Sequence, residues 1–285
     1  MRRWAWLLAI AALAVPGRAA ADELRWRDEW GVVSQQEYGV ALTFGALTLL
    51  IHTMPVKEVD WGTVEADERT RNWLRFESPT ARAVSRTASD LLFYSLMAYP
   101  VVVDSLLVTL PRNDHVAWQM LVLDLETLAV AGLVAVTLEH IMGRQRPYVR
   151  ECVGGPSEAS RGDCTASGPK ESYKSFPSGH ALMAFASAGL ICANHVRLPL
   201  YGGGAPDRIA CGAAMGLATV QSALRITGDR HYLSDVLLGA ALGSAIGYGL
   251  PTVLHYGKSD DDEGAPAVPA PGAVGAAVPV WTGRF

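Results

Sequence analysis

Residues 116–142 read VAWQMLVLDLETLAVAGLVAVTLEHIM, a long apolar run that decides the fold class. A helix needs about 20 apolar residues to cross the hydrocarbon core of a bilayer, and this run is longer. Comparable runs lie at residues 38–56, 89–110, 178–196, 209–226 and 233–255. The pattern predicts an all-α, polytopic membrane helical bundle of about six spans.

The composition agrees with a membrane protein. Hydrophobic residues make up 50% of the chain and charged residues 18%, against roughly 25% charged in soluble domains. The apolar runs contain Gly, Ala and Ser, which suit close helix packing in lipid. The net charge of -4 and the scattered Lys and Arg predict no nucleic-acid partner.

Three carboxylates interrupt the apolar runs, namely Asp104, Asp124 and Glu126. Charged groups inside a bilayer are costly unless they face the bundle interior and are paired there. We therefore expect these three to be structural or to line a polar cavity, rather than to be substrate ligands.

The two ends of the chain differ from its middle. Residues 1–21 combine a positive start, a short apolar core and an Ala-x-Ala end, which is typical of a secretory signal peptide; an uncleaved anchor is the alternative. Residues 258–285 are rich in Asp, Ala, Pro and Gly without periodicity, and are predicted to be a disordered tail. The membrane-embedded domain is expected at residues 22–257.

The four cysteines form two pairs. Cys152 and Cys164 share a polar loop and could form a disulfide in an oxidising compartment; two free thiols are the alternative. Cys192 and Cys211 lie in apolar runs and are predicted to pack as small hydrophobes. Their spacing matches no zinc-binding pattern, so no metal is predicted.

The junction at residues 225–235 reads RITGDRHYLSD. His231 and Asp235 are four positions apart, so on a helix they share a face. The carboxylate can accept the proton of one imidazole nitrogen and leave the other as a free lone pair, as a nucleophilic histidine requires. Taken alone, such a pair is more often a hydrogen bond on a helix surface.

A second junction, FPSGH, lies at residues 176–180. Pro177 stands where a helix would begin, and Ser178 and Gly179 follow in its first turn. The free N–H groups of a helix start bind anions, and glycine lets a ligand come close to the backbone. His180 could there donate a proton to a leaving alkoxide. A helix start with Ser178 as its cap is the simpler alternative.

Two arginines complete the set: Arg146, in GRQRP at residues 143–147, and Arg225. Guanidinium groups bind phosphate oxygens at two points; separately, either arginine could be an anchor at the headgroup level. Successive spans cross in alternate directions, so the end of the third, the start of the fourth and the junction of the last two lie on one side. The clusters are therefore predicted to meet at one membrane surface.

The three clusters resemble, in order, the signature of the type 2 phosphatidic acid phosphatase (lipid phosphate phosphatase) family: Lys-x6-Arg-Pro, Pro-Ser-Gly-His and Ser-Arg-x5-His-x3-Asp. Three ordered motifs with correct spacing are specific, whereas any one is weak. The resemblance implies an acid phosphatase/vanadium-dependent haloperoxidase-like core. The matching positions are Arg146, Pro147, Pro177, Ser178, Gly179, His180, Arg225, His231 and Asp235.

The resemblance also implies roles. His231 would attack phosphorus to form a phosphohistidine, with Asp235 orienting it, and His180 would protonate the leaving group and later activate water. The phosphate oxygens would be held by Arg146, Arg225, Ser178 and Gly179. The implied activity is metal-independent and cofactor-free hydrolysis of a phosphate monoester or pyrophosphate on a membrane lipid, which is the expected partner together with the bilayer.

Two positions depart from the family pattern. Leu224 replaces a serine, which removes a minor hydrogen bond, and Glu139 replaces a lysine, which exchanges a phosphate-binding cation for an anion. Arg144 is a candidate to supply the missing charge. Alternatively, Glu139 tunes an arginine, recognises an amine on the substrate or weakens the activity.

The substrate itself is open, since phosphatidic acid, phosphatidylglycerol phosphate, undecaprenyl pyrophosphate and lipid A phosphate all present a phosphate at the headgroup level. The loop at residues 148–175 carries Arg150, Lys170 and Lys174. It is expected either to shape the entrance or to be a solvated linker.

The sequence gives conflicting indications of which side of the membrane the three clusters face. A cleaved signal peptide followed by six full crossings would put the clusters in the cytoplasm, whereas bacterial membrane members of the family usually carry the site on the periplasmic face. The loop at residues 57–86 mixes acids and bases, so its charges do not decide. The Cys152/Cys164 pair favours an oxidising side. We therefore expect an inner-membrane protein with its site facing the periplasm.

Three rival functions remain open from the sequence. A secreted, soluble acid phosphatase would keep the chemistry without the membrane. A vanadium haloperoxidase has a similar pocket, although such chains are usually much longer. A catalytically weakened membrane binding or transport protein would explain Glu139.

Overall fold

The computed structural model describes residues 24–152, 164 and 171–257. The expected signal peptide at residues 1–21 and the expected tail at residues 258–285 lie outside this part of the chain, as does Lys170. Within it, the structure is helical without strands, and a single isolated bridge pairs Val59 with Arg144.

Seven helices of ten or more residues are present in the described ranges. They are α1 (Gln35–Thr53), α2 (Glu65–Leu74), α3 (Pro79–Ala98), α4 (Asp114–Met142), α5 (Gly179–Arg197), α6 (Ala205–Thr227) and α7 (Leu233–Ser244). Helix α3 continues with π-helical geometry through Tyr99–Thr109, and α7 does so through Ala245–Gly249 and Thr252–Tyr256.

Four of these helices are long and apolar enough to cross a membrane: Pro79–Thr109, Asp114–Met142, Ala205–Thr227 and Leu233–Tyr256. The prediction of an all-α membrane bundle is confirmed. The count of six spans is not, because the predicted spans at 38–56 and 178–196 form α1 and α5, which fall short of the length or apolarity of the other four.

Helix α5 is the centre of the bundle. It packs against α3, α4, α6 and α7 and is buried along most of its length. Its sequence is rich in Ala, Gly and Ser, and it carries Asn194 and His195, so it is less apolar than its neighbours. A helix enclosed by protein needs small residues for close packing more than it needs strong hydrophobicity.

The outer surfaces of the bundle are apolar. Large hydrophobic side chains point outward from helices α1, α3, α6 and α7, and they include Leu42, Leu91, Leu107, Ile209 and Leu237. A soluble monomer rarely exposes so much apolar surface, whereas the hydrocarbon of a bilayer covers it at no cost.

Two of the three carboxylates of the apolar runs, Asp104 and Asp124, face inward and are paired, as expected. Asp124 accepts hydrogen bonds from Ser105 Oγ (2.7 Å) and Asn194 Nδ2 (3.1 Å). Asp104 lies 3.4 Å from His195 Nε2. The fully buried Asp104 and Asp124 therefore belong to a polar network inside the bundle.

Both cysteine pairs form disulfides. The bridge between Cys152 and Cys164 agrees with the prediction. The prediction that Cys192 and Cys211 pack as separate small hydrophobes is wrong, because they are bonded with an S–S distance of 2.02 Å. Helices α5 and α6 pack side by side and bring the two Cα atoms to 4.4 Å, a separation that only the folded structure reveals.

Helix α4 ends where the chain must turn sharply toward the clustered residues. Gly143 adopts a left-handed conformation with φ 55°. A Cβ atom there would lie 1.7 Å from the backbone oxygen of Lys57, so no other residue fits without moving the chain. Gly143 thereby sets the direction in which Arg144 and Arg146 leave the helix.

Three glycines of the last helix face α5 with almost no space between the backbones. A Cβ atom added at any of them would lie 2.0 to 2.6 Å from a backbone oxygen of α5 or of its cap residue. Such small-residue stripes let membrane helices approach closely. They are spaced four apart, at Gly239, Gly243 and Gly247.

We predict that Gly243→Ala lowers the free energy of unfolding in detergent by about 3 kcal/mol, because its Cβ would lie 2.2 Å from Leu182 O and must push the helices apart. The matched control is Gly249→Ala, where the added methyl meets nothing within 4 Å. Denaturant unfolding followed by circular dichroism measures both. Equal midpoints for the two variants would contradict this packing.

Candidate active site

The three clusters meet at one end of the bundle, as their topology predicts. Arg146 Nη1 lies 3.0 Å from His231 Nε2. Arg225 Nη1 lies 2.8 Å from Asp90 Oδ1, and the same oxygen lies 3.3 Å from His180 Nε2. The two histidines and the two arginines thus form two adjoining pairs.

The imidazole of His231 is fixed by a backbone carbonyl. Its Nδ1 lies 2.8 Å from the oxygen of Ser175. A carbonyl oxygen can only accept, so Nδ1 carries the proton and Nε2 presents its lone pair toward Arg146. The predicted orienter, Asp235, is farther away, with its Oδ2 3.8 Å from Nδ1.

Asp235 acts on His231 through its neighbours instead. It accepts hydrogen bonds from Ser175 Oγ (2.6 Å) and from the backbone N–H of Tyr232 (2.8 Å). It therefore holds both the residue that carries the accepting carbonyl and the residue that follows the histidine. The i, i+4 spacing places Asp235 near His231, but it could not reveal Ser175 as the direct partner.

The electrostatic surroundings keep His231 neutral. Burial lowers its pKa well below the usual value, and the positive charges of Arg146 and Arg225 and the nearby His180 lower it further. A neutral imidazole with a fixed tautomer is the nucleophilic form of histidine.

Asp90 is a site residue that we did not predict. It lies in α3 and contacts both Arg225 and His180. Arg225 is buried, and its Nε has no hydrogen-bond partner among the described residues. A charged residue within the apolar run at 89–110 was the available signal.

The start of α5 lies next to these groups. Ser178 caps the helix, since its hydroxyl accepts from the N–H of Ala181 (3.3 Å), while its own N–H donates to the Asp235 carbonyl (3.0 Å). The helix begins at Gly179, so Pro177 precedes the cap rather than opening the first turn as predicted.

Glu139, at the family's lysine position, approaches the same helix start. Its Oε1 lies 3.2 Å from the backbone N of Gly179. A Cβ atom at position 179 would lie only 2.5 Å from that oxygen, so glycine makes the contact feasible. The Glu139 carboxylate therefore accepts from the backbone N–H of Gly179, a residue that the resemblance assigns to phosphate binding.

A second carboxylate accompanies Arg146. Glu171 lies 3.6 Å from Arg146 Nη2, and its backbone oxygen accepts from Arg146 Nε (2.7 Å). Lys174 Nζ lies 3.1 Å from Glu171 Oε1, and the lysine is 2% exposed. The loop before α5 thus carries a buried lysine beside Arg146.

Arg144 does not replace the missing lysine in this geometry. Its Nη1 donates to Ser234 Oγ (2.8 Å) and to Asp235, and its Nη2 donates to Asp67 Oδ2 (2.7 Å). The guanidinium also stacks over the ring of Tyr232, 4.3 Å from its centroid. Both terminal nitrogens are taken by protein groups, so Arg144 holds the loop of His231 in place.

Helix α2 anchors that loop from both sides, although we had expected only a connecting loop at residues 57–86. Asp67 accepts from the backbone N–H of Ser234 (3.0 Å) and from its hydroxyl (2.6 Å). Arg71 pairs with Asp229 at 2.7 Å. Asp229 has φ 61°, a conformation that a non-glycine residue holds only when the surroundings fix it.

A polar cavity of about 450 Å³ opens beside the site. Its walls include Trp61, Arg144, Arg150, Tyr173 and Tyr232. Arg150, in the loop expected either to shape the entrance or to be a solvated linker, lines this cavity.

We predict that Asp67→Ala destabilises the protein by about 3 kcal/mol, because it removes one carboxylate from a buried arginine and two acceptors from Ser234. The matched control is Glu65→Ala in the same helix turn, whose ion pair with Arg69 is largely exposed; it should change stability by less than about 0.5 kcal/mol. Thermal unfolding measures both. Similar losses in the two variants would refute the anchoring role.

The comparison with solved structures returns a crystal structure of a transmembrane PAP2-type phosphatidylglycerolphosphate phosphatase from Bacillus subtilis. The two chains are 20% identical with a TM-score of 0.49. The match covers 76% of this chain and 94% of the other.

A family model also matches the chain. It is the model of the PAP2 superfamily, and it aligns with residues 121–258. That region holds Arg146, His180, Arg225 and His231, and so contains all three clusters. The resemblance found in the motifs is confirmed, since this model matches the part of the chain that carries them.

Proposed function

We propose that this protein hydrolyses a phosphate monoester or pyrophosphate on a membrane lipid through a phosphohistidine intermediate. The observation that carries the proposal is the state of His231. Its Nδ1 donates to a fixed carbonyl, so the lone pair lies on Nε2, where it accepts from Arg146 Nη1 at 3.0 Å and would be released when that guanidinium binds the phosphate.

In the first step, Arg146, Arg225 and the N–H groups at the start of α5 bind the phosphate oxygens. The lone pair of His231 Nε2 attacks phosphorus, the N–P bond forms and the bond to the leaving oxygen breaks. His180 donates its proton to that oxygen, so a monoester leaves as the lipid alcohol and a pyrophosphate leaves as the lipid monophosphate. The guanidinium groups stabilise negative charge on the transferring phosphoryl group.

In the second step, water attacks the phosphohistidine. His180, now neutral, accepts a proton from this water, and the N–P bond breaks to release inorganic phosphate and free His231. Asp90 supports both steps, because it positions His180 and Arg225 together. The positive charge required comes from arginine, so we propose a metal-independent reaction.

The substrate is proposed to be a lipid because the site lies where apolar helices end. Residues 142 and 233, which flank the site, terminate two of the four membrane-length helices. A phosphate at the headgroup level would meet the site there. These helices argue against a secreted, soluble acid phosphatase.

The proposed orientation faces the periplasm of a bacterial-type inner membrane. Cys152 and Cys164 are bridged in the loop that follows Arg146. Disulfides persist in oxidising compartments, and the bacterial periplasm is one of them.

We predict that His231→Ala abolishes phosphate release, with a loss of about 10³-fold or more in kcat. Purified protein in detergent would be assayed against phosphatidic acid, phosphatidylglycerol phosphate, undecaprenyl pyrophosphate and lipid A phosphate. The control is His140→Ala, whose imidazole contacts the backbone oxygens of Val136 and Met54. Quenching in alkaline detergent with a ³²P-labelled substrate should trap an acid-labile phosphohistidine in wild type and His140→Ala but not in His231→Ala. Equal phosphate release by wild type and His231→Ala would refute the assignment.

We predict that Glu139→Gln raises kcat/KM about tenfold, because it removes a negative charge from the amide of Gly179 while keeping the side-chain size. Glu139→Lys, the family residue, should leave turnover intact or raise it. Glu58→Gln is the control, since Glu58 lines the neighbouring cavity. Lower activity in both Glu139 variants would instead give this carboxylate a specific role, such as binding an amine on the substrate.

A further inference from the structure

A second cluster of ionisable side chains lies far from the catalytic end of the bundle. Its members are Glu37 in α1, Glu126 in α4 and His255 near the end of the last helix. One ligand atom of each lies within 4.8 Å of the other two. Leu233 starts the helix that ends near His255, so about 30 Å of helix separates this cluster from His231.

The imidazole of His255 is prepared for coordination. Its Nδ1 lies 3.1 Å from the backbone oxygen of Gly31, which can only accept, so Nδ1 carries the proton. Nε2 then presents a lone pair, and this nitrogen is buried without a hydrogen-bond partner among the described residues. A backbone carbonyl on one nitrogen and a free lone pair on the other is the usual arrangement of metal-binding histidines.

Two carboxylates face this lone pair. Nε2 lies 3.0 Å from Glu37 Oε1 and 4.0 Å from Glu126 Oε2, in a geometry that forms no hydrogen bond. The other oxygen of Glu37 accepts the backbone N–H of Ser34, which leaves Oε1 directed at the cluster. Lone pairs that face each other at this distance repel unless a cation lies between them.

We propose that Glu37, Glu126 and His255 bind a divalent transition-metal ion, with Zn²⁺ as the best fit. One imidazole nitrogen and two carboxylate oxygens suit Zn²⁺, whereas Mg²⁺ prefers oxygen ligands and keeps its water. The side chain of Glu37 is 18% exposed, and the other two are more deeply buried. An ion would therefore enter past Glu37, and water would complete its coordination.

The three ligands lie on segments that are distant in sequence. The backbone N–H of Gly31 donates to the His255 carbonyl (2.9 Å), and the N–H of Val33 donates to Gln119 Oε1 (2.7 Å). The metal would add a third connection here and fasten the first helix to α4 and to the end of the last helix. Its role is structural and independent of the phosphatase reaction.

Metal analysis of the full chain tests this site. Protein purified in detergent without chelator should retain about one Zn²⁺ per chain. After removal of the ion with EDTA, added Zn²⁺ should raise the midpoint of thermal unfolding by about 5 °C, whereas Mg²⁺ should not. Added Co²⁺ should give the visible absorption of a cobalt ion with a nitrogen ligand.

Variants identify the ligands. Glu126→Gln and His255→Gln should each weaken Zn²⁺ binding by about 100-fold or more and remove both the thermal shift and the Co²⁺ spectrum. Glu58→Gln and His140→Gln are matched controls that should bind as wild type does. The EDTA-stripped wild type provides the same comparison without a substitution. Wild type that neither retains Zn²⁺ nor shifts with it, or variants that bind like wild type, would overturn the proposal.

Discussion

The site depends on one hydrogen bond, from His231 Nδ1 to the carbonyl oxygen of Ser175. That bond sets the tautomer and places the lone pair on Nε2, beside Arg146. Ser175 is itself held by Asp235, Asp235 is paired with Arg144, and Arg144 is paired with Asp67. His231 is therefore positioned by a buried chain of charges that begins in a short helix outside the spans. Such a chain is rigid because each member would leave an unpaired buried charge if it moved.

A second regularity concerns the groups that would bind phosphate. Each of them contacts a carboxylate: Arg225 contacts Asp90, Arg146 contacts Glu171, and the amide at the start of α5 contacts Glu139. These carboxylates balance the buried positive charge when no phosphate is bound. An anionic substrate of the proposed kind would compete with them directly, so its affinity would reflect the difference between two charged partners rather than the attraction of a bare cationic pocket.

Much of the site could be predicted from the sequence because its residues occur in short motifs with fixed internal spacing. The motifs brought Arg146 and His231 to the same end of the bundle, and the structure brings them into contact. The supporting residues Asp67, Asp90 and Ser175 were missed, since no motif marks them and their contacts depend on how the segments fold together. The number of membrane-spanning helices could not be determined from hydropathy alone, because a helix enclosed by other helices, such as α5, need not be strongly apolar. The disulfide between Cys192 and Cys211 was not predicted, because it depends on which helices are neighbours in the folded structure.

The glycine stripe between α5 and α7 has a mechanical consequence. Backbones in direct contact leave no side chains that could change rotamer to absorb a displacement. The two helices therefore move as a single body, and this body carries both the helix start that would receive the anion and the loop that holds His231. If a bulky lipid headgroup is to enter the site, the segments that move are therefore those around this body, namely α2 and the loop before α5.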